Sequence, residues 1–221
     1  MTTRTFGDLQ HDPVSHLHYR LSPASGPVRG RLLLLHGVGS NERGMVALGE
    51  HMPGDLEVLA VQGPLAIGPQ QFAWFNVQFG EQGPVINAEQ AEASRRQLLA
   101  LAQALPPLPT VIAGFSQGGI MSASSGLTAP ALFKGFGLLS GRILPEIAVR
   151  LAGPLELSAL KAFVAHGIHD NKLPVSWAER ADQFLNELGV RHELKLYPIG
   201  HELSGAVVAD FVEWLNALIP A

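Results

Sequence analysis

Residues 110–119 read Thr-Val-Ile-Ala-Gly-Phe-Ser-Gln-Gly-Gly, and residues 120–127 continue Ile-Met-Ser-Ala-Ser-Ser-Gly-Leu. A β-branched apolar run therefore passes through Gly114-Phe115-Ser116-Gln117-Gly118 directly into a stretch of small and apolar residues with helical character. Few folds accommodate this. The strand must end and the helix begin around one serine, which forces that serine into a strained backbone conformation and stands its hydroxyl clear of the sheet. Glycine is needed at 114 and 118 because a Cβ at either position would strike neighbouring backbone. Ser116 is thus a candidate nucleophile. The N–H of Gln117, at the helix start, is a candidate oxyanion donor. A Gly-x-Ser-x-Gly pentapeptide arises by chance in on the order of one chain in ten at this glycine content, so its partners must decide its meaning.

The remainder of the chain alternates strand-like and helix-like segments. Residues 31–35 and 57–61 are apolar runs suited to strands buried on both faces, and residues 16–21 read as an earlier strand. Further short strands are expected at 110–115, 135–139, 161–165 and 190–196, the last near a sheet edge. Helices are expected over 41–52, 88–105, 175–188 and 203–218. Asn87 and Gln90 form a capping pair for the second of these, Pro106 and Pro107 end it, and Gly189 caps the third. Strands alternating with helices give an α/β fold: one domain over 1–221, with a mainly parallel central sheet and helices on both faces. Residues 63–87 are left as a long loop.

Composition narrows the function classes. In 221 residues the net charge is −4 and no long basic run occurs, which argues against nucleic-acid binding. No apolar stretch is long enough to span a membrane, and the N-terminus has no apolar h-region, so a cytoplasmic protein is expected. Cysteine is absent, which excludes disulfides and thiol nucleophiles.

A serine hydroxyl needs a base within hydrogen-bond reach, and the base needs an acid to orient it. On this kind of sheet the order along the chain is Ser, then Asp or Glu, then His, each on a loop after a strand. Asp170, in His166-Gly167-Ile168-His169-Asp170, follows the strand at 161–165, whereas Asp182 and Asp210 fall inside predicted helices. His201, in Gly200-His201-Glu202, follows the strand at 190–196, and His192 lies within that strand. His36-Gly37-Val38-Gly39 follows the first buried strand, and the Val38 N–H is the second expected oxyanion donor. Phe72, Trp74, Phe75 and Phe79 in the 63–87 loop are candidates for lining a substrate pocket, with packing beneath the loop as the alternative.

Together Leu32–Glu42, Gly114–Gly119, His166–Asp170 and Gly200–Glu202 resemble the phospholipase/carboxylesterase branch of the α/β-hydrolases, which includes acyl-protein thioesterases. Phe72–Asn76 resembles the aromatic loop of that branch. The resemblance runs from about residue 28 onward. It implies an α/β-hydrolase fold and a serine carboxylesterase or thioesterase cleaving small or medium acyl esters through an acyl-serine. Ser116, Asp170 and His201 would be catalytic, with Val38 and Gln117 N–H groups as the oxyanion hole and no metal or organic cofactor. The expected partner is a small-molecule ester or thioester; monomer and homodimer both remain open. Two features depart from the family pattern: Asp170 is followed by Asn171 rather than Pro, and Asn76 stands where an acid is common. The alternatives are a binder that has lost turnover, or a peptidase or amidase on the same fold.

Overall fold

The computed structural model describes residues 4–80 and 83–220. Its centre is an eight-stranded sheet. In chain order the strands are β1 (Leu9–His11), β2 (His18–Ser22), β3 (Gly30–Leu35), β4 (Leu56–Gln62), β9 (Thr110–Phe115), β10 (Gly135–Leu139), β11 (Lys161–Gly167) and β12 (Arg191–Tyr197). Two small hairpins, β5 (Leu65–Gly68) with β6 (Gln71–Ala73) and β7 (Val77–Gly80) with β8 (Gly83–Ile86), occupy the segment between β4 and the next helix. The helices are α1 (Val46–Glu50), α2 (Ala88–Ala104), α3 (Gln117–Thr128), α4 (Pro154–Leu157), α5 (Ser176–Glu187) and α6 (Gly205–Leu218).

The sheet order is β1-β2-β4-β3-β9-β10-β11-β12. The β1–β2 and β2–β4 pairs are antiparallel and the others parallel. Every residue of β3 and β10 is buried, as their apolar runs demand of strands covered on both faces, with the one charge, Arg31 of β3, paired to Glu57. One apolar layer packs Leu33, Leu35, Ile112, Met121, Leu127 and Phe136 with α2, α3 and α5; the other packs Leu32, Leu34, Val111, Phe163, Phe211 and Trp214 with α6. The strand β9 lies in mid-sheet, with its C-terminal end opening onto α3.

Several local expectations are met at the atomic level. Asn87 caps α2 by accepting the Gln90 N–H at 3.0 Å. The Gln90 side chain does not complete a reciprocal box; it accepts the Asn76 N–H at 2.8 Å and ties the second hairpin to the helix. Gly189 has φ +68° and ends α5, which only glycine does without strain. The strand β12 lies at the sheet edge.

Other local expectations are revised. The 63–87 segment is not an open loop, because it folds back as the two hairpins. The helix expected over 41–52 is a 3-10 turn (Glu42–Met45) followed by the single turn α1. The strand β1 has no apolar signature; its three residues are all exposed.

Candidate active site

The turn between β9 and α3 carries Ser116 at φ 54° and ψ −117°, a conformation that L-residues rarely adopt. The flanking glycines explain how the chain tolerates it. A Cβ on Gly118 would collide with the Leu35 carbonyl, and one on Gly114 would collide with the Gly118 backbone. The Ser116 N–H donates to the Leu139 carbonyl at 2.8 Å, so the turn is tied to the end of the neighbouring strand β10. Ser116 remains half-buried, with its hydroxyl at the C-terminal rim of the sheet.

The acid and the imidazole come from the next two loops along that rim. Their backbones extend the β11–β12 pairing beyond the strands: Ile168 N–H donates to the Tyr197 carbonyl at 2.8 Å and His169 N–H to the Ile199 carbonyl at 3.0 Å. The two loops touch at Gly167, where any Cβ would meet the carbonyl oxygens of Gly200 and Ile199. The result is a continuous chain of hydrogen bonds. His201 Nε2 lies 2.9 Å from Ser116 Oγ, and His201 Nδ1 lies 2.6 Å from Asp170 Oδ2. The Phe115 ring packs against the imidazole with centroids 4.8 Å apart, which holds the ring in that plane.

Asp170 is buried, and burial by itself would raise its carboxyl pKa. The N–H groups of Leu173 and Lys172 on Oδ1, at 2.9 and 2.8 Å, and the imidazole on Oδ2 outweigh that effect and hold it below the usual carboxylate range. It is therefore an anion wherever His201 must accept a proton. A second histidine, which the sequence motif contained without marking a role, packs beneath it. His166 Nε2 donates to the Leu173 carbonyl at 2.8 Å and lies 3.5 Å from Asp170 Oδ2, bracing the same turn.

On the other side of Ser116 lies the turn after β3. Gly37 approaches so closely that a Cβ there would sit 3.3 Å from Ser116 Cβ. His36 is fully buried and holds this turn: its Nδ1–H donates to the Gly37 carbonyl at 2.7 Å and its Nε2 accepts the Gly63 N–H at 2.8 Å. Val38 is 51% exposed. Among the described residues neither the Val38 N–H nor the Gln117 N–H donates to a protein acceptor.

Of the aromatic residues expected to line a pocket, Trp74 and Phe75 are fully buried within the core. The Trp74 Nε1–H donates to the His36 carbonyl at 2.9 Å, and the Gln117 side chain engages the backbone of both residues. Their place is thus structural, supporting both sides of the Ser116 turn from below. Phe72 is half-buried and pairs by backbone with Ser40. The Phe79 side chain lies outside the described residues. The acids set aside by their helical positions are engaged elsewhere: Asp182 with His192, and Asp210 with Tyr197 and Lys195. No helix of the described residues is long and apolar enough to cross a membrane.

The sequence matches the phospholipase/carboxylesterase family over residues 18–219. It is 24% identical over 220 residues to acyl-protein thioesterase 1 of Eremothecium gossypii, covering 91% of this chain and 93% of that protein. It is 32% identical to acyl-protein thioesterase 1 of Emericella nidulans over 130 residues, 54% of this chain and 52% of the relative. Among solved structures, Zea mays acyl-protein thioesterase 2 superposes with a TM-score of 0.78 at 19% identity, covering 91% of this chain and 98% of that one. A carboxylesterase from Mesorhizobium loti gives 0.79 at 19% identity, covering 95% and 99%. With the family matched across nearly its whole length, this chain belongs to the phospholipase/carboxylesterase family of α/β-hydrolases.

Proposed function

We propose that this protein is a serine carboxylesterase or thioesterase that cleaves small or medium acyl esters through an acyl-serine. The observation that carries this reading is the unbroken hydrogen-bond chain from Asp170 through His201 to Ser116.

His201 Nε2 takes the Ser116 proton as Oγ attacks the substrate carbonyl, and Asp170 stabilises the imidazolium that forms. The N–H groups of Val38 and Gln117 meet the oxyanion of the tetrahedral intermediate. Each such donor is worth about 3 kcal/mol of transition-state stabilisation. His201 then protonates the departing alcohol or thiol. Water attacks the acyl-serine by the same route and frees the carboxylic acid. The strained Ser116 backbone keeps Oγ in place without rearrangement during the cycle.

The test is turnover of p-nitrophenyl butyrate by wild type and Ser116→Ala, with labelling by a fluorophosphonate probe. Wild type turns over and is labelled once, while the variant loses several orders of magnitude in kcat and the label. Turnover by the purified variant at the wild-type rate overturns the assignment.

A further inference from the structure

Resting on that reading, one buried cation at the same rim plays no part in the steps above. Arg142 is only 8% exposed. It lies on the turn after β10, and its placement is fixed at both ends. Its backbone follows Ser140 and Gly141, and Gly141 is pressed so closely on the Ser116 turn that a Cβ there would sit 3.0 Å from the Ser116 carbonyl. Its guanidinium lies over the Trp177 ring, 4.8 Å from the centroid. Trp177 stands at the start of α5, seven residues beyond Asp170. The cation therefore spans the rim from the nucleophile turn to the helix that follows the acid loop.

What the guanidinium lacks is an anion. Among the described residues no carboxylate lies within 4 Å of it and no hydrogen-bond acceptor meets its five N–H groups. Glu146 acts on it only through space, and burial pushes its pKa down. Other arginines held this closely in the molecule are paired: Arg31 with Glu57, and Arg95 with Glu92 and Thr128. Stacking on one indole only partly offsets the cost of drawing a guanidinium out of water. A second arginine, Arg180, lies 4.8 Å from the same ring, so two guanidinium groups share one indole, and among the described residues neither is in a salt bridge. A planar fork of donors held on an aromatic ring, on a turn that packs against the Ser116 turn, matches the geometry of a carboxylate.

We propose that Arg142 is a specificity-determining residue that binds a second, ionised carboxylate on the substrate, so that the preferred esters are acidic ones. The ester bond is presented to Ser116 while the remote carboxylate takes two parallel N–H···O bonds from Arg142, with Arg180 adding attraction at the edge. Ordinary neutral acyl esters use the same catalytic groups without that anchor.

The test compares two matched pairs of substrates. Mono-p-nitrophenyl glutarate against p-nitrophenyl butyrate places the charge on the acyl side. 4-Acetoxybenzoate against phenyl acetate places it on the leaving side. Wild type is expected to favour the charged member of one pair, and the pair that responds identifies which half of the substrate carries the anion. In Arg142→Met the charged-to-neutral ratio of kcat/KM for that pair falls by roughly 10- to 100-fold, the loss expected from one charge-assisted contact. Arg142→Lys, which keeps the charge without the fork, falls in between. Calorimetric titration with glutarate gives binding to wild type and none to Arg142→Met, a readout that needs no turnover. Equal loss on both members of each pair, or no preference in wild type together with no glutarate binding, overturns the proposal. If no ester of either kind is hydrolysed, the esterase reading fails, and the titration still decides whether Arg142 holds a carboxylate.

Discussion

Gln117 holds the main chain on either side of the Trp74–Phe75 peptide: its Oε1 accepts the Trp74 N–H at 2.7 Å, and its Nε2 donates to the Phe75 carbonyl at 2.7 Å. One residue thus serves two ends. Its backbone N–H has no protein acceptor among the described residues, and its side chain fastens the buried aromatic segment that underlies the His36–Gly39 turn. Trp74 closes the circuit through its indole bond to the His36 carbonyl. Gln117→Ala keeps the backbone donor but strands a buried N–H and a buried carbonyl, each costing about 1–3 kcal/mol. Urea denaturation is expected to show a loss of that size. A variant as stable as wild type would mean that the clamp carries no load.

The backbone of Ser116 stores strain that can be measured apart from the chemistry. Ser116→Ala and Ser116→Gly both delete the hydroxyl, but only alanine keeps a Cβ at φ 54°. Such conformations cost about 1–3 kcal/mol in a non-glycine residue, partly offset by the greater freedom of glycine when unfolded. Ser116→Gly should therefore be the more stable of the two inactive variants by about 1 kcal/mol. The reverse order in thermal or chemical denaturation would contradict the strain.

His36 makes the His36–Gly39 turn sensitive to acid. Its Nε2 accepts the Gly63 N–H, so the folded state requires the neutral ring, and burial holds its pKa below the ordinary value of 6.5. Because the unfolded chain takes up the proton first, this contribution to stability is fully present above about pH 6.5 and is lost as the pH falls from there toward the depressed folded value. Wild type should lose stability between pH 7 and pH 5. His36→Gln should start lower at pH 7 and fall less steeply over that interval. Parallel slopes for the two proteins would place the acid sensitivity elsewhere.

Glu92 gives the opposite end of the titration. Hydrogen bonds from Arg95 and Arg96, together with the charge of Arg150, outweigh its partial burial and hold its pKa at about 2, down from 4.5. A depressed carboxylate stabilises the fold above its unfolded pKa, and this is lost as the pH falls from 4.5 toward 2. Glu92→Gln should be less stable than wild type at pH 7, with the gap closing across that acid range. A gap of constant size would mean that the arginine cluster holds Glu92 by packing and not by charge.

What the sequence made legible follows from where the physics is local. The strands β3, β9 and β10 carry apolar runs, α2 has a cap and α6 an apolar stripe, so their positions were readable to within a residue or two. The order Ser116, Asp170, His201 was readable because each residue follows a strand in a parallel sheet and hence shares its C-terminal rim. The two hairpins within 63–87 were not readable, because Gly68, Gly80 and Gly83 look alike in a turn and in a loop. β1 was missed because three exposed residues pairing at an edge leave no periodicity. The solitary cation of Arg142 was also invisible. An arginine after a strand has no pattern of its own, and only three-dimensional packing reveals that, among the described residues, no carboxylate comes within 4 Å of it. Trp74 and Phe75 illustrate the same limit, since aromatic residues in a loop read alike whether they line a pocket or fill the core beneath it.

Gly167 provides the sharpest test of how the acid and the imidazole are held in register. The β11 and β12 loops meet backbone to backbone at this residue, and a methyl group would run into the carbonyl oxygens of Gly200 and Ile199. Gly167→Ala must push the His201 loop away from the Asp170 loop, although neither catalytic side chain is altered. The imidazole bonds at 2.6 and 2.9 Å leave little room for such a shift. A displacement near 1 Å costs on the order of 100-fold in rate. Because the oxyanion turn and Ser116 lie on other strands, the loss should fall mainly on kcat, with KM for p-nitrophenyl butyrate changing much less. Ordinary kcat with raised KM would show that the loops adjust together and that Gly167 matters only for substrate access.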